Sequence, residues 1–247
     1  MRNLLNFLAA NRGRGAGFCS LAKGDVLTLD VYDVIVSSDA DADWMGGVSA
    51  ERFAREVRGF RGGEVHVRLN SPGGDVFGGV AMANALRETA ARVIVHVDGY
   101  AASAASLLVA AADEAVIAPG GMVMIHNAWT IALGNADDFM ATAELLEKID
   151  GEIAEAYFAK AGGDKEKWRA LMAAETWFTG AEAVEAGLVD RVAERAQKAP
   201  QNFDLSAFAH APALPVQEVA TPEPAIDKTE LERVARARAR AVLLRAA

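Results

Sequence analysis

Hydrophobic and polar positions follow two different periods along the central part of the chain. Short apolar runs, several of them alternating with polar residues, predict strands at residues 26–36, 65–69, 93–97, 114–118 and 122–125. Between these runs, apolar residues spaced three and four apart predict helices, as Phe53, Val57 and Phe60 do after a capping Ser49. Strands that alternate with helices indicate an α/β domain.

Composition changes at both ends of this pattern and predicts four regions. Residues 1–24 form a Gly/Arg-rich stretch that predicts a flexible leader, and residues 25–193 carry the alternating elements of the domain. Residues 194–229 are rich in proline and alanine, which is typical of an extended linker. In residues 230–247, arginines alternate with apolar side chains, and this pattern predicts a possible C-terminal helix that either docks on a partner or faces solvent.

Charge and residue counts exclude several classes of protein. The net charge of -9 argues against an electrostatic nucleic-acid binder, because phosphates are neutralised by clustered Lys and Arg. The single cysteine, Cys19, cannot form an internal disulfide or a thiolate zinc site, which favours a reducing compartment. No run reaches the roughly 20 apolar residues of a membrane span, so we expect a soluble protein without a membrane partner.

A serine and a histidine stand at positions that suit nucleophilic catalysis. Ser103 follows Gly99 and two alanines at a predicted strand-to-helix turn, and His126 ends the next apolar strand. A serine needs a neighbouring base and donors aimed at the oxyanion, and the N–H of Ala104 and the turn with Gly73-Gly74 could supply these donors. The combination predicts acyl-transfer chemistry. Taken alone, Ser103 would be interpreted as a helix N-cap, and Ser106 is a competing serine.

Three segments in this order resemble the signature segments of the Clp protease proteolytic subunit, and more closely those of related phage head maturation (prohead) proteases. They are Asn70-Ser-Pro-Gly-Gly74, Gly99-Tyr-Ala-Ala-Ser103 and Met124-Ile-His-Asn127. The resemblance extends from Leu27 to Val192. It implies a ClpP/crotonase-like α/β fold of repeated strand-strand-helix units with a protruding handle helix.

The resemblance also implies roles for individual residues. Ser103 corresponds to the nucleophile and His126 to the base, while Gly74 and Ala104 correspond to the residues whose backbone N–H groups bind the oxyanion. Glu175 stands where the family has the aspartate of the triad. A glutamate can orient the histidine as acids do in other triads, but Glu175 could instead be an exposed residue that ends a short helix.

In the family, an extended peptide substrate pairs as a strand between two segments of the cleft. By resemblance, one follows Gly74 and contains Asp75 and Val76, and the other follows His126 and contains Ala128 and Trp129. Trp129 could equally be a core aromatic residue. The resemblance implies no metal and no organic cofactor.

Partners follow from the resemblance as well. It implies a homo-oligomer that forms a ring, capsid or scaffolding proteins as substrates, a possible Clp-type ATPase partner, and a location in the cytoplasm of a bacterial host or in the phage procapsid. The longest predicted helix begins at Asn135, and its stripe of Ile149, Ile153 and Tyr157 could pack on its own core or on another subunit. The C-terminal residues after the domain could recruit the protein into a procapsid.

Two other functions share parts of this pattern. A crotonase-like acyl-CoA hydratase or isomerase has the same fold and also uses two backbone amides, but it needs no serine–histidine pair. A catalytically silent assembly protein would keep the fold and lack reactivity at Ser103. We therefore predict a serine endopeptidase and keep these two alternatives open.

Overall fold

The computed structural model describes residue 11 and residues 14–194 and 203–212. The strands are β1 (Gly17–Lys23), β2 (Val26–Tyr32), β3 (Ile35–Val36), β4 (Val48–Ser49), β5 (Glu64–Ser71), β6 (Arg92–Ala102), β7 (Glu114–Ile117), β8 (Met122–Ile125), β9 (Thr176–Thr179) and β10 (Arg191–Val192). The helices are α1 (Asp39–Met45), α2 (Ala50–Gly59), α3 (Val76–Glu88), α4 (Ser106–Ala110), α5 (Ala136–Ala161), α6 (Lys165–Ala173) and α7 (Gly180–Glu185), with a 3₁₀ turn at Ser103–Ala105. The predicted helix at 230–247 lies outside the described residues, as do 195–202 and 213–229.

The main sheet is largely parallel, with the order β1-β2-β5-β6-β7-β10. Strand β6 is long enough to pair with two different strands on the same side. Its first half pairs with β7 through Ile94–Val97, and its second half pairs with β8 through Tyr100–Ala102. Gly99 lies where the partner changes, and a Cβ there would stand 2.4 Å from Asn70 Oδ1. The long, divided β6 therefore carries the chain to Ser103.

The core lies between this sheet and the helices. Leu27, Leu29 and Val31 of β2 are buried at alternate positions, as are Val65 and Val67 of β5. Helix α2 starts after Ser49, whose Oγ accepts the Arg52 N–H at 3.0 Å, and it buries Phe53 and Val57. The α/β fold predicted from the periodicity is therefore present.

Helix α5 is half buried and half exposed. Asn135 and Asp138 form a capping box at its start, and Gly162 ends it with φ 70°. In its second half, Ile153 and Tyr157 are buried in the core of their own chain. In its first half, large apolar side chains are exposed. The predicted apolar stripe of Ile149, Ile153 and Tyr157 thus packs on the core of the same chain. The first half of α5 protrudes from the domain.

The described part of the predicted leader contains a strand. β1 pairs antiparallel with β2 along its whole length, from Gly17 opposite Tyr32 to Lys23 opposite Val26. Most of its side chains are exposed, so the alternation of buried and exposed positions that identifies other strands is missing there. Backbone hydrogen bonds to β2 hold this edge strand, together with the partly buried Phe18, whose ring packs against that of Phe53.

Candidate active site

Ser103 occupies a tight turn directly after β6. Its φ is 55°, a conformation that costs an L-residue energy and that recurs at active sites. The 3₁₀ turn that it starts has no side-chain cap, so the alternative interpretation of Ser103 as an N-cap does not hold. Neighbouring glycines make room for the turn: a Cβ on Gly73 would lie 2.7 Å from the Ser103 Cβ, and one on Gly79 would lie 2.9 Å from the Ala104 carbonyl oxygen.

His126 follows β8 and reaches Ser103. A hydrogen bond of 2.7 Å joins Ser103 Oγ to His126 Nε2, and the histidine is buried. The pairing of strands explains the meeting, because Ala102 at the end of β6 lies opposite Met124 in the parallel β8. Parallel strands end at the same edge of a sheet, so the residues that follow them are neighbours. The structure therefore brings together the two residues that the sequence predicted as nucleophile and base.

The turn after β5 is clamped next to Ser103 by the short strand β3. The Ile35 N–H donates to the Gly73 carbonyl at 2.8 Å, and the Asp75 N–H donates to the Ile35 carbonyl at 2.9 Å. Gly74 has φ 145°, and a Cβ there would lie 2.1 Å from the Ile35 oxygen. Only glycine fits this turn. Gly74 and Ala104 thus belong to two adjoining backbone turns, and their role as oxyanion donors stays a prediction.

A buried polar chain supports the same turn from below. The Gly73 N–H donates to Ser71 Oγ at 3.2 Å, and this hydroxyl donates to the Asp33 carbonyl at 2.6 Å. The Asp33 carboxylate accepts the Val34 N–H at 2.8 Å. Burial raises the pKa of Asp33 to about 6, because desolvation penalises its charged form more than the hydrogen bond favours it. Sequence patterns did not single out Asp33, and Ser71 appeared only as a member of the segment Asn70-Ser-Pro-Gly-Gly74.

Glu175 lies across from His126 in the sheet. Strands β8 and β9 are antiparallel with Ile125 opposite Thr176, so the next position in register sets His126 against Glu175. Glu175 is buried, with φ 50°, and its Oε1 accepts the His210 N–H at 2.6 Å. The third triad position therefore stays a prediction, supported by the register.

Ser106, the competing serine, has a structural role. Its Oγ donates to the Ser103 carbonyl at 2.5 Å and lies 2.7 Å from Tyr157 Oη, and the residue is buried. It thereby ties the turn that carries Ser103 to helix α5. The same helix holds the segment after His126, because Asp150 Oδ1 accepts the Ala128 N–H at 2.7 Å.

A cavity of about 360 Å³ opens beside the Ser103–His126 pair. All four predicted substrate-binding residues line it, namely Asp75, Val76, Ala128 and Trp129. Asp75 also caps helix α3, since its side chain accepts the Gly78 N–H at 2.5 Å. Most of the other lining side chains are apolar, and many of these come from β3 and α5. The cavity is large enough for a side chain of a peptide, and its peptide-binding role stays a prediction.

Within the described residues, the structure contains no cluster of three or more His, Cys, Asp or Glu side chains suited to a metal ion. No described helix is both long enough and apolar enough to span a membrane.

Comparison with known proteins identifies the family. The Clp protease family matches residues 61–196, which is more than half of the chain. The chain belongs to the Clp protease family. It is similar to the ATP-dependent Clp protease proteolytic subunits of Bacteroides fragilis, with 31% identity over 53% of this chain and 64% of the relative, and of Bacteroides thetaiotaomicron, with 34% identity over 53% and 60%. The match thus spans less than two thirds of these curated relatives.

A solved structure supports the fold of the Clp protease family. A mutant of ClpP1 from Listeria monocytogenes has a TM-score of 0.57 with this chain at 19% sequence identity, over 68% of this chain and 91% of that one. At this identity the likeness concerns the fold alone. It confirms the predicted ClpP-like α/β fold.

One neighbour of the site was missed by sequence reasoning. Phe208 lies in the stretch predicted as a Pro/Ala-rich linker, yet its ring is perpendicular to that of His126 at 5.4 Å. It is buried and lines the same cavity as Ser103. The only signal was the apolar set Phe203, Leu205 and Phe208 within an otherwise small and polar stretch.

Proposed function

We propose that this chain is a serine endopeptidase that hydrolyses peptide bonds through an acyl-enzyme. The observation that carries the proposal is the 2.7 Å hydrogen bond between Ser103 Oγ and His126 Nε2 beside two glycine-dependent turns. Membership of the Clp protease family supports it. No metal and no organic cofactor takes part in the proposed reaction.

The geometry suggests how each step proceeds. His126 Nε2 takes the proton of Ser103 as Oγ bonds to the carbonyl carbon, and the carbonyl π electrons move to the oxygen. The N–H groups of Gly74 and Ala104 stabilise this oxyanion. The C–N bond then breaks, and the imidazolium donates its proton to the leaving amine. Water repeats the sequence on the acyl-enzyme, with His126 as base, and releases the acid and free Ser103.

The serine–histidine contact distinguishes this function from its rivals. An acyl-CoA hydratase or isomerase of similar fold would use backbone amides to hold a thioester enolate and would not need a serine within hydrogen-bonding distance of a histidine. A silent assembly protein would not need the strained φ of 55° at Ser103. Both observations favour the peptidase.

A fluorophosphonate probe tests the reactivity directly. Its phosphorus is attacked by an activated serine Oγ with loss of fluoride, so intact-mass and peptide mass spectrometry should locate one adduct on Ser103. Ser103→Ala should lose the adduct and all peptide hydrolysis, whereas the matched control Ser20→Ala, at an exposed position of β1, should keep both. An unlabelled, folded wild-type protein would support the hydratase or the silent protein.

We further propose that the substrates are capsid or scaffolding proteins processed during phage head maturation in the bacterial cytoplasm or the procapsid. The support is the resemblance to prohead proteases. Because residues 203–212 pack on the domain, the test removes only residues 213–247. We expect this deletion to spare cleavage of a co-expressed capsid protein and to abolish incorporation into procapsids. Unchanged incorporation would contradict the proposed role of these residues.

Assembly into a homo-oligomeric ring, with or without a Clp-type ATPase, is also part of the proposal. Its support is the exposed apolar surface at the first half of α5 and the preceding loop, formed by Ile131, Leu133, Phe139, Met140 and Leu145. Sedimentation velocity of wild type should show an oligomer, and Phe139→Glu should shift it to smaller species. An unchanged distribution would place the interface elsewhere. Stimulation of protein degradation by an added Clp-type ATPase and ATP would test that partner, and its absence would favour ATP-independent cleavage.

A further inference from the structure

Residues 203–212, here called the strap, lie across the end of the sheet that carries the candidate site. Phe203, Leu205 and Phe208 of the strap are buried. They form a separate apolar cluster that includes Tyr100 and Met124, the residues on β6 and β8 just before the catalytic turns. The strap is therefore packed on the edge of the domain that carries Ser103 and His126.

Three aromatic contacts anchor the strap on the domain. The ring of Phe203 meets that of Tyr100 edge to face, with centroids 5.8 Å apart. The ring of Phe208 lies edge to face against both His126, at 5.4 Å, and Trp177, at 6.1 Å. Edge-to-face aromatic pairs add specific attraction to the burial of apolar surface.

Polar contacts hold both ends of the strap. Near its start, Asn11 Nδ2 donates to the Asp204 carbonyl at 2.9 Å, and the Asp204 N–H donates to Asn11 Oδ1 at 2.6 Å. Near its end, the His210 N–H donates to Glu175 Oε1 at 2.6 Å. The amide group of Asn11 thus donates to and accepts from the backbone of the strap, as the backbone of a paired strand does. In the sequence, Asn11 is far from Ser103 and His126.

These contacts bear on the proposed chemistry at two points. The N–H of His210 uses an oxygen of Glu175, the acid that the register places opposite His126. Phe208 packs edge to face on the His126 ring at 5.4 Å, so the docked strap limits the movement of the imidazole and its access to substrate. Phe208 also forms part of the wall of the cavity beside Ser103, which narrows the space for a substrate.

We propose that the groove between Tyr100, Met124, His126 and Trp177 is a docking site for the chain's own strap, and that the docked strap restrains the Ser103–His126 pair. This inference rests on the proposed serine chemistry. Release of the strap removes the His210 N–H from Glu175 Oε1 and the Phe208 ring from the His126 ring. If the strap is docked nine tenths of the time, the reactive fraction is about one tenth, so complete release accelerates the reaction by about tenfold.

The test compares rates of fluorophosphonate labelling in the full chain. Asn11→Ala removes the two hydrogen bonds that hold Asp204 of the strap, and Phe208→Ala removes the ring that packs on His126 and Trp177. We expect both variants to label Ser103 faster than wild type, by up to about tenfold. Ala209→Ser, at an exposed position of the strap, is the matched control and should label at the wild-type rate.

A synthetic peptide with the sequence of residues 203–212 provides the converse test. Added in trans, it should bind Asn11→Ala, measured by fluorescence anisotropy of a labelled peptide, and slow the labelling of this variant towards the wild-type rate. A scrambled peptide should do neither. Folded variants that label at the wild-type rate or more slowly would overturn the proposal and show that the strap instead supports the site.

Wild-type protein gives a readout that needs no variant. Hydrogen exchange of the strap amides should accelerate when a peptidyl phosphonate is bound to Ser103 and fills the cavity that Phe208 lines, and unchanged protection would contradict coupling between the strap and the site. Failure of the proposed function has a different signature, because then neither wild type nor any released variant is labelled. Binding of the strap peptide to Asn11→Ala would still report on the groove in that case.

Discussion

Histidines occur in two settings on the same sheet, and their surroundings differ sharply. His66 in β5 and His96 in β6 lie within their strands, stacked at 5.3 Å with an interplanar angle of 10° and with His66 Nδ1 3.0 Å from His96 Nε2. His126 lies one residue past the end of β8 and contacts Ser103. The contact of His66 with His96 is between neighbours on one face of the sheet. The contact of His126 with Ser103 is between residues that follow two different strands.

The difference shows that the position of a residue along a strand decides which groups its side chain can contact. Within a strand, a side chain meets its neighbours on the same face of the sheet. His66 accordingly contacts His96 on the adjacent strand and Glu64 two residues earlier on its own strand. At the end of a parallel strand, the chain turns and several segments converge, so a side chain can meet groups from elsewhere in the sequence. This supports treating His66 and His96 as ordinary strand residues.

Replacing His126 and His96 separately tests whether only the histidine at the strand end takes part in catalysis. His126→Gln should lower hydrolysis by about 10³-fold or more, because the serine loses its base. His96→Gln should stay within about twofold of wild type. The measurement is kcat/KM on a fluorogenic peptide, with thermal unfolding as a check on folding. A comparable loss in both variants would mean that the His66–His96 pair also contributes to catalysis.

The acid opposite His126 should have the next largest effect. Glu175→Ala should lower kcat/KM by about 10² to 10⁴, since an orienting acid stabilises the imidazolium and fixes the tautomer. Glu175→Gln keeps the size and an acceptor for the His210 N–H but loses the charge. It should also move the acid limb of the pH–rate profile to lower pH. Wild-type activity of both variants would remove Glu175 from the triad.

Asp33, the buried acid that supports the turn at Gly73, should make the stability of the protein depend on pH. The pKa of Asp33 is about 6 in the folded protein and near 3.8 when unfolded, so the folded state retains a proton between these values. Stability contributed by this group is therefore lost as pH rises from about 4 to 6. Urea unfolding of Asp33→Asn should show its stability rising relative to wild type by about 2 kcal/mol between pH 4 and pH 7. A constant difference would contradict the raised pKa.

His96 should change the stability of the protein with pH in the opposite direction to Asp33, and by a smaller amount. Burial, and then the nearby charge of His66, lower the pKa of His96 to about 4 from 6.5. The unfolded chain then binds the proton first, so stability is lost as pH falls from 6.5 towards 4. His96→Gln should reduce this loss by on the order of 1–2 kcal/mol in urea unfolding, since the site is partly screened by solvent. An unchanged pH dependence would exclude His96 as its source.

Several features of the fold and the site followed from the sequence because they depend on local patterns. Periodicity in β2 and β5 predicted buried strands, and the small residues around Ser103 predicted a turn. The short strand β3 was part of a longer predicted strand, since no local pattern shows that Ile35 leaves β2 to clamp Gly74. Strand β1 was missed because an exposed edge strand has no buried alternation.

The strap shows why long-range contacts escaped prediction. A proline- and alanine-rich composition indicates an extended chain, and three apolar residues in it do not say where they dock. Phe208 and His126 are far apart in sequence, so their contact depends on the packing of the whole domain.

The sequence alone determined the alternation of strands and helices, the glycines at sharp turns, and the serine and histidine as a candidate pair, because these features depend on side-chain chemistry over a few residues. The tertiary structure decided the register that sets His126 against Ser103 and Glu175, the clamp on Gly74, and the seat of the strap. Such contacts are selected by the global balance of burial and hydrogen bonding between segments distant in the chain, which no local pattern encodes.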